Sequence, residues 1–153
     1  MPLVVELARK ARDYELNFTI DAEEADRLEL TLEVIGAAFA EQSLENWDGF
    51  GFAVQAYQKR ASAVIAWAGE LAERYNRRMM LRLVKGAYWD TEIKRAQERG
   101  LQDYPVFTRK CMTDLYYITC AEQLLALRPR IFPQFATHNA LTVATVLDRA
   151  AGD

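Results

Sequence analysis

Arg78-Met79-Met80-Leu81-Arg82-Leu83-Val84-Lys85-Gly86-Ala87-Tyr88-Trp89-Asp90 is the stretch whose reading decides the fold. It starts as a short apolar run with one charge embedded at Arg82. It then turns through Lys85 and Gly86 into two aromatics and a candidate helix cap at Asp90. A strand buried on both faces is nearly all apolar, and an unpaired charge in a core is costly. Arg82 and Lys85 therefore call for anionic partners or a polar cavity at the end of a buried strand.

The same grammar repeats on either side. Leu16–Asp21, Gly51–Tyr57 and Ile131–Thr137 read as three further strands, with Pro133 a mild objection to the last. Helical spacing marks the segments between them. Val4, Leu7, Ala8 and Ala11 form the first such face. Ala25, Leu28, Leu32, Ile35 and Phe39 form the second, on a helix expected to begin near Glu23. Val64, Trp67, Leu71 and Tyr75 follow, and a charged helix is expected from Asp90 to Arg99, stopped by Gly100. Ile118, Ala121 and Leu125 mark another helix, and Val143, Leu147 and Ala150 the last. Asn46-Trp47-Asp48-Gly49 is turn chemistry. Strands alternate with helices four times with no hairpin signal, so the expectation is an α/β fold of about four βα units with parallel strands.

The totals narrow the field. With 153 residues, 51% hydrophobic and 27% charged, the chain is expected to be one soluble domain, residues 1–153, with a real core. A net charge of -3 gives no general attraction to nucleic acid or anionic lipid. No apolar run approaches the roughly 18 residues of a membrane span, and the start lacks a signal-peptide pattern. Cys111 and Cys120 fit a reduced, cytoplasmic protein. Neither has metal-ligand spacing, and with one histidine in the chain no metal site is expected.

Each strand ends in residues that an apolar core would not choose: Asp21, Gln55, the Arg82/Lys85 pair, and Thr137-His138-Asn139. In parallel α/β folds the ligand site lies beyond the C-terminal strand ends. Each residue also has a plainer reading. Asp21 with Glu24 fits a capping box, the role that local sequence favours, and Gln55 suits a satisfied core amide. Arg82 and Lys85 suit structural ion pairs, or else a phosphate or a ring that gains negative charge. Gly86 permits close approach of backbone to a ligand. Tyr88 and Trp89 read more simply as packing residues, Thr108-Arg109-Lys110 as a solvated face, and His138 as structural. There is no dinucleotide fingerprint, phosphate-binding loop or recoverable nucleophile triad.

Longer segments carry a resemblance. Asn17 through Arg27, Val54-Gln55-Ala56-Tyr57-Gln58-Lys59-Arg60 and Arg82 through Asp90 resemble the proline dehydrogenase domain of the bacterial bifunctional proline utilization A family. Glu92 through Gln97, Tyr104 through Lys110 and Gln134 through Ala140 continue in the family's order. The resemblance implies a distorted (β/α)8 TIM-type barrel holding FAD at its C-terminal face. It also implies oxidation of L-proline to Δ1-pyrroline-5-carboxylate by hydride transfer to flavin N5. By that resemblance Asp21 and Arg82 are the catalytic residues, with Asp21 at the mouth near flavin and substrate. Arg82 would stabilise the anionic reduced ring, and Gln55 would touch the ring's polar edge. Val84, Lys85, Gly86, Ala87, Tyr88 and Trp89 would wrap the cofactor. Thr108, Arg109, Lys110, Thr137, His138 and Asn139 would contact its ribityl, pyrophosphate or adenosine portions.

Four strands stand where the barrel needs eight; in the family's order they would be the third to sixth. The segments that in the family carry an active-site lysine and paired carboxylate-binding arginines have no counterpart here. The expectation is therefore a central fragment of a catalytic domain, with little turnover alone and with FAD not assured. Open strand edges should make it self-associate. The resemblance further implies an aldehyde dehydrogenase domain in the same polypeptide, membrane quinone as electron acceptor, and a cytoplasmic site peripheral to the inner membrane. The competing expectation is a non-catalytic α/β half-barrel that acts as an assembly module.

Overall fold

The computed structural model describes residues 2–152. Met1 and Asp153, the two ends of the domain expected over 1–153, lie outside the described residues. Four strands form where the apolar runs predict them: β1 (Phe18–Ile20), β2 (Phe50–Gln55), β3 (Met79–Val84) and β4 (Ile131–Phe135). Six helices accompany them: α1 (Pro2–Asp13), α2 (Leu28–Phe39), α3 (Ala61–Arg74), α4 (Trp89–Glu98), α5 (Lys110–Ala126) and α6 (Ala140–Ala151). The strands make one parallel sheet in the order β1-β2-β3-β4. A doubly wound sheet reverses its strand order at a switch point. Unbroken sequential order, with α1, α2, α3, α5 and α6 all contributing to the core on one face, is the geometry of a barrel segment.

Alternation along the strands separates two faces. Phe50, Phe52 and Val54 of β2, Met79, Leu81 and Leu83 of β3, and Ile131 of β4 are buried in the core with Ile35, Ile65 and Leu124 of the helices. The alternate positions line the other, inner face in register. Gly51 lies opposite Met80, and Met80 opposite Phe132. One step further on, Ala53 lies opposite Arg82, and Arg82 opposite Gln134. Arg82 is thus not in the helix-side core at all; it stands on the barrel's interior side, exposed. Pro133 is accommodated because β4 pairs only with β3. The Ala136 N–H bonds back to Leu83, so the alternate position of Pro133 turns its missing N–H toward the open edge.

Local expectations shift in several places, the exposed Leu7 of α1 and Tyr75 after α3 among them. The helix expected near Glu23 begins at Leu28, after a single 3-10 turn at Ala25–Arg27. The capping box is not formed. Asp21 Oδ1 accepts the N–H of its neighbour Ala22 at 2.9 Å, while the Glu24 carboxylate pairs with Arg95 at 3.3 Å and Arg27 at 3.5 Å. The Ala25 N–H instead goes to the buried carboxylate of Glu92 at 2.6 Å, across from α4. Asp90 is not the cap of α4; Tyr88 holds that position and Asp90 lies in the first turn, where its charge favours the helix dipole. In α6 the expected face is rotated: Val146 is buried, whereas Leu147 and Val143 are exposed. That helix follows the last strand of the sheet, so little lies opposite those positions to cover them.

Gly86 has a structural reason that the sequence did not disclose. Its φ is +150°, and a Cβ there would stand 2.4–2.6 Å from the ring of Tyr57. The close approach is to this buried ring, within the chain itself. Gly86→Ala combines a backbone conformation that L-residues avoid with a clash against a fixed ring. The expected loss is about 3 kcal/mol, read as a lower urea midpoint. Unchanged stability would mean that the Tyr57 ring can move aside.

Candidate active site

The C-terminal strand ends gather most of the expected residues on one side of the sheet. Asp21 follows β1 by one residue and continues the side on which Thr19 lies. Gln55 ends β2, Arg82 and Val84 lie on β3, and Thr137, His138 and Asn139 follow β4. Arg82 is exposed, and among the described residues it makes no hydrogen bond or ion pair. A guanidinium with five donors is thereby left unspent at the centre of the sheet.

Several neighbours are spent. Gln55 is buried, with 2% of its surface exposed. Its Nε2 donates to the Glu23 carbonyl at 2.9 Å, and its Oε1 accepts the Ala87 N–H at 2.9 Å. The amide ties the loop after β1 to the loop after β3, the satisfied core amide of the plainer reading. One Nε2 proton remains for any further contact. Asn139 caps α6, its Oδ1 accepting from the Thr142 N–H at 3.0 Å. Thr137 Oγ1 accepts the Asn139 N–H at 3.1 Å. His138 is exposed beside them.

Lys85 has the ion-pair role. Its Nζ meets Asp114 of α5, and Lys110 meets the other oxygen of the same carboxylate at 2.6 Å. Lys110 first and Lys85 second hold the Asp114 carboxyl below its ordinary range. A folded pKa below the unfolded one gives stability that is present above the unfolded value and is lost as pH falls through the folded value. The loss therefore belongs to acid conditions, below about pH 4. The Asp114 carboxyl is expected to titrate below 3.8 by NMR, with Lys110→Ala raising its midpoint more than Lys85→Ala. A midpoint at or above the ordinary value would show the pair to be absent in solution.

The loop after β3 is fastened from several directions. Backbone bonds join Ala56 N to Val84 O at 2.8 Å and Tyr57 N to Lys85 O at 2.7 Å. The Trp89 indole N–H donates to Phe107 O at 2.9 Å. The Tyr88 hydroxyl reaches Glu23 Oε2 at 3.4 Å, and that carboxylate is the main cause raising the Tyr88 phenol's pKa. Burial is the main cause raising that of Tyr57, whose hydroxyl has no partner among the described residues. Thr108 and Arg109 are exposed at the start of α5, where Arg109 occupies the cap position without a side-chain cap bond.

Asp21, Arg82 and the loop of residues 84–89 thus share one edge with His138, and Thr108-Arg109-Lys110 lies where the next loop enters α5. Sequence reasoning missed Gln134. Its side chain shares the inner face with Arg82, and its Oε1 is buried without a partner among the described residues. The signal was present as strand alternation in Ile131–Thr137, but it acquires meaning only once the register against β3 is known.

Comparison with known proteins decides the family. The family model described as proline dehydrogenase matches residues 3–153. The chain belongs to the proline dehydrogenase family. Among curated relatives, the bifunctional protein PutA of Salmonella typhimurium is 54% identical over 145 residues, 95% of this chain and 11% of the relative. The PutA of Escherichia coli is 52% identical over 149 residues, 97% of this chain and 11% of the relative. The chain therefore spans about 11% of the curated relatives' length. A crystal structure of a Bradyrhizobium japonicum proline utilization A variant superposes with a TM-score of 0.97 at 70% identity, covering 98% of this chain and 15% of that one. Proline utilization A from Bdellovibrio bacteriovorus, inactivated by N-propargylglycine, gives 0.94 at 33% identity, covering 97% of this chain and 15% of that one. The sequential parallel sheet agrees with the TIM-barrel-like fold of these neighbours. Among the described residues no helix is long and apolar enough to cross a membrane.

Proposed function

We propose that residues 1–153 form the central part of an FAD-dependent proline dehydrogenase barrel, which oxidises L-proline to Δ1-pyrroline-5-carboxylate as the first step of proline catabolism. The observation that carries this reading is the unspent Arg82 guanidinium, on the inner face at the C-terminal strand ends of a proline dehydrogenase family chain.

The residues fit a flavin in part. Among the described residues Arg82, His138, Thr108 and Arg109 have side chains free to meet an electron-rich ring or a phosphate. The Val84–Trp89 loop offers a fixed backbone, and Gln55 offers its one remaining proton. Lys85, Lys110 and Asn139 would have to share groups already bonded within the chain. When bound, FAD supplies the two-electron acceptor for the proline ring. The work of the chain itself is electrostatic. Arg82 sets a fixed positive charge where negative charge develops, and Asp21 sets a carboxylate at the mouth of the site.

The whole-protein partners follow the same reading: an aldehyde dehydrogenase domain in one polypeptide, membrane quinone as acceptor, and a cytoplasmic location peripheral to the inner membrane. The test is a flavin absorbance spectrum and a proline:dye reduction assay, run on the full-length protein and on this chain alone. The full-length protein is expected to be yellow and to turn over proline, and the chain alone to show little turnover. A full-length protein that binds no flavin would sink the reading, and robust turnover by the chain alone would show that nothing beyond these residues is required.

One observation favours a second, compatible behaviour. Among the described residues β1 and β4 each pair along one side only, and Phe132 on β4 is half exposed. Unpaired edges beside apolar surface invite association. The chain expressed alone is expected to sediment as dimers or larger species; a cooperative, well-folded monomer would contradict this. A colourless protein that forms a defined oligomer would favour an assembly module over a catalytic piece.

A further inference from the structure

We propose that Gln134 is a positioning residue for Arg82: its side-chain carbonyl accepts a guanidinium N–H and holds the charge over the strand ends. The inference rests on the reading of Arg82 given above and adds a residue to it.

Three observations meet at this pair. Arg82 and Gln134 are direct register partners on adjacent parallel strands, about 4.8 Å apart, with both side chains on the same inner face. Gln134 Oε1 is buried and accepts nothing among the described residues, and a buried acceptor without a donor is costly enough to call for an explanation. Arg82 has donors to give and no acceptor among the described residues.

The amide's orientation is itself constrained. Gln134 Nε2 lies 3.9 Å from Met80 Sδ. A thioether only accepts, so the N–H end belongs beside the sulfur and the carbonyl is the end left over. Met80 is the inner-face residue next before Arg82 on β3 and anchors the amide from that side. A planar fork held at one N–H loses much of its rotamer freedom. Its remaining donors can then act at a fixed place, which is what electrostatic stabilisation of developing charge requires.

The experiment uses the full-length protein with FAD bound, and sulfite as probe. Sulfite adds to flavin N5 and leaves negative charge on the ring, so its affinity reports fixed positive charge nearby without proline turnover. Gln134→Met keeps the volume and removes the carbonyl acceptor; Gln134→Asn keeps a neutral carbonyl on a shorter stem. The expectation is that Gln134→Met weakens sulfite binding about tenfold, in the same direction as Arg82→Met. The double variant should be no weaker than Arg82→Met alone, a non-additive cycle. Gln134→Asn, which adds no charge to oppose the anionic probe, should bind sulfite more tightly than Gln134→Met. Should Gln134→Met fail to fold, Gln134→Leu takes its place, and a flavin-loaded Gln134→Leu with the parent's sulfite affinity would overturn the proposal. Additive losses would overturn it too, as would weaker flavin retention with sulfite affinity unchanged, which assigns the carbonyl to the cofactor. If Arg82→Met itself leaves sulfite binding unchanged, the reading of Arg82 fails first, and that outcome is distinct from Gln134 failing alone.

Discussion

Replacing Arg82 by methionine is expected to lower kcat with proline about 10²–10³-fold in the full-length protein, the range seen when a fixed electrostatic donor is removed from a reacting centre. The structural cost should be small. Arg82 is exposed, makes no bond among the described residues, and keeps an apolar stem in the variant; with the Gln134 contact proposed above lost as well, the change should stay within about 1 kcal/mol. Activity and stability therefore separate. The urea midpoint should stay near the parent's while kcat falls, and KM should move less than kcat, because the interaction strengthens as charge develops. A variant that folds, holds flavin and turns over within about threefold of the parent would remove Arg82 from the chemistry. Retention by Arg82→Lys of much of the lost rate would point to charge alone, and its failure to do so to the planar fork.

The four strands and their parallel direction were legible because each is a short apolar run bounded by turn residues, and because no hairpin signal competes. Asn46, at φ +63°, and Gly100, at φ +61°, take left-handed conformations that suit the turn and the helix stop read at those positions. What stayed hidden was non-local. The helix start moved to Leu28 because Glu92, 67 residues away, takes the Ala25 N–H. Lys85 is spoken for because Asp114 arrives from α5, 29 residues on. Gly86 answers to the Tyr57 ring rather than to a turn type. Local pattern could place Arg82 on a strand, but alternation has two phases, and only the packing of Leu81 and Leu83 against the helices shows which phase faces the barrel interior. The candidate site was thus legible as a list of strand-end residues. Which of those residues are still unbonded required coordinates.

At the other end of the same strand, Arg77→Met is expected to destabilise the fold by about 3 kcal/mol. Arg77 is buried, with 8% of its surface exposed. It donates to the Phe39 carbonyl at the end of α2 and to the Trp47 carbonyl at 3.1 Å, and it lies 4.3 Å over the Phe39 ring. Methionine fills most of the space but donates nothing. Two carbonyls lose their donor at about 1–3 kcal/mol each, and the cation–π contact adds about 1 kcal/mol. Against this stands a gain. No carboxylate is bonded to Arg77 and its Nε has no partner among the described residues, so removing the charge recovers part of a desolvation penalty. Burial is also the main cause that lowers the guanidinium's pKa, with Asp48 and Glu45 opposing it from a distance. The balance favours loss, because two backbone carbonyls cannot follow the side chain out of the core. Arg78→Met is the matched control. Arg78 is exposed, meets Asp48 at 3.9 Å and bonds Pro129 O at 3.1 Å, and should cost less than about 1 kcal/mol. Urea unfolding with an unchanged slope reads both. Equal losses at the two positions would mean that the buried bonds of Arg77 only offset the cost of burying it. On the proposed reading the two ends of β3 divide the labour of a barrel strand, with stability at the N-terminal end and ligands at the C-terminal end. Turnover per bound flavin should accordingly survive Arg77→Met in whatever fraction of the protein remains folded.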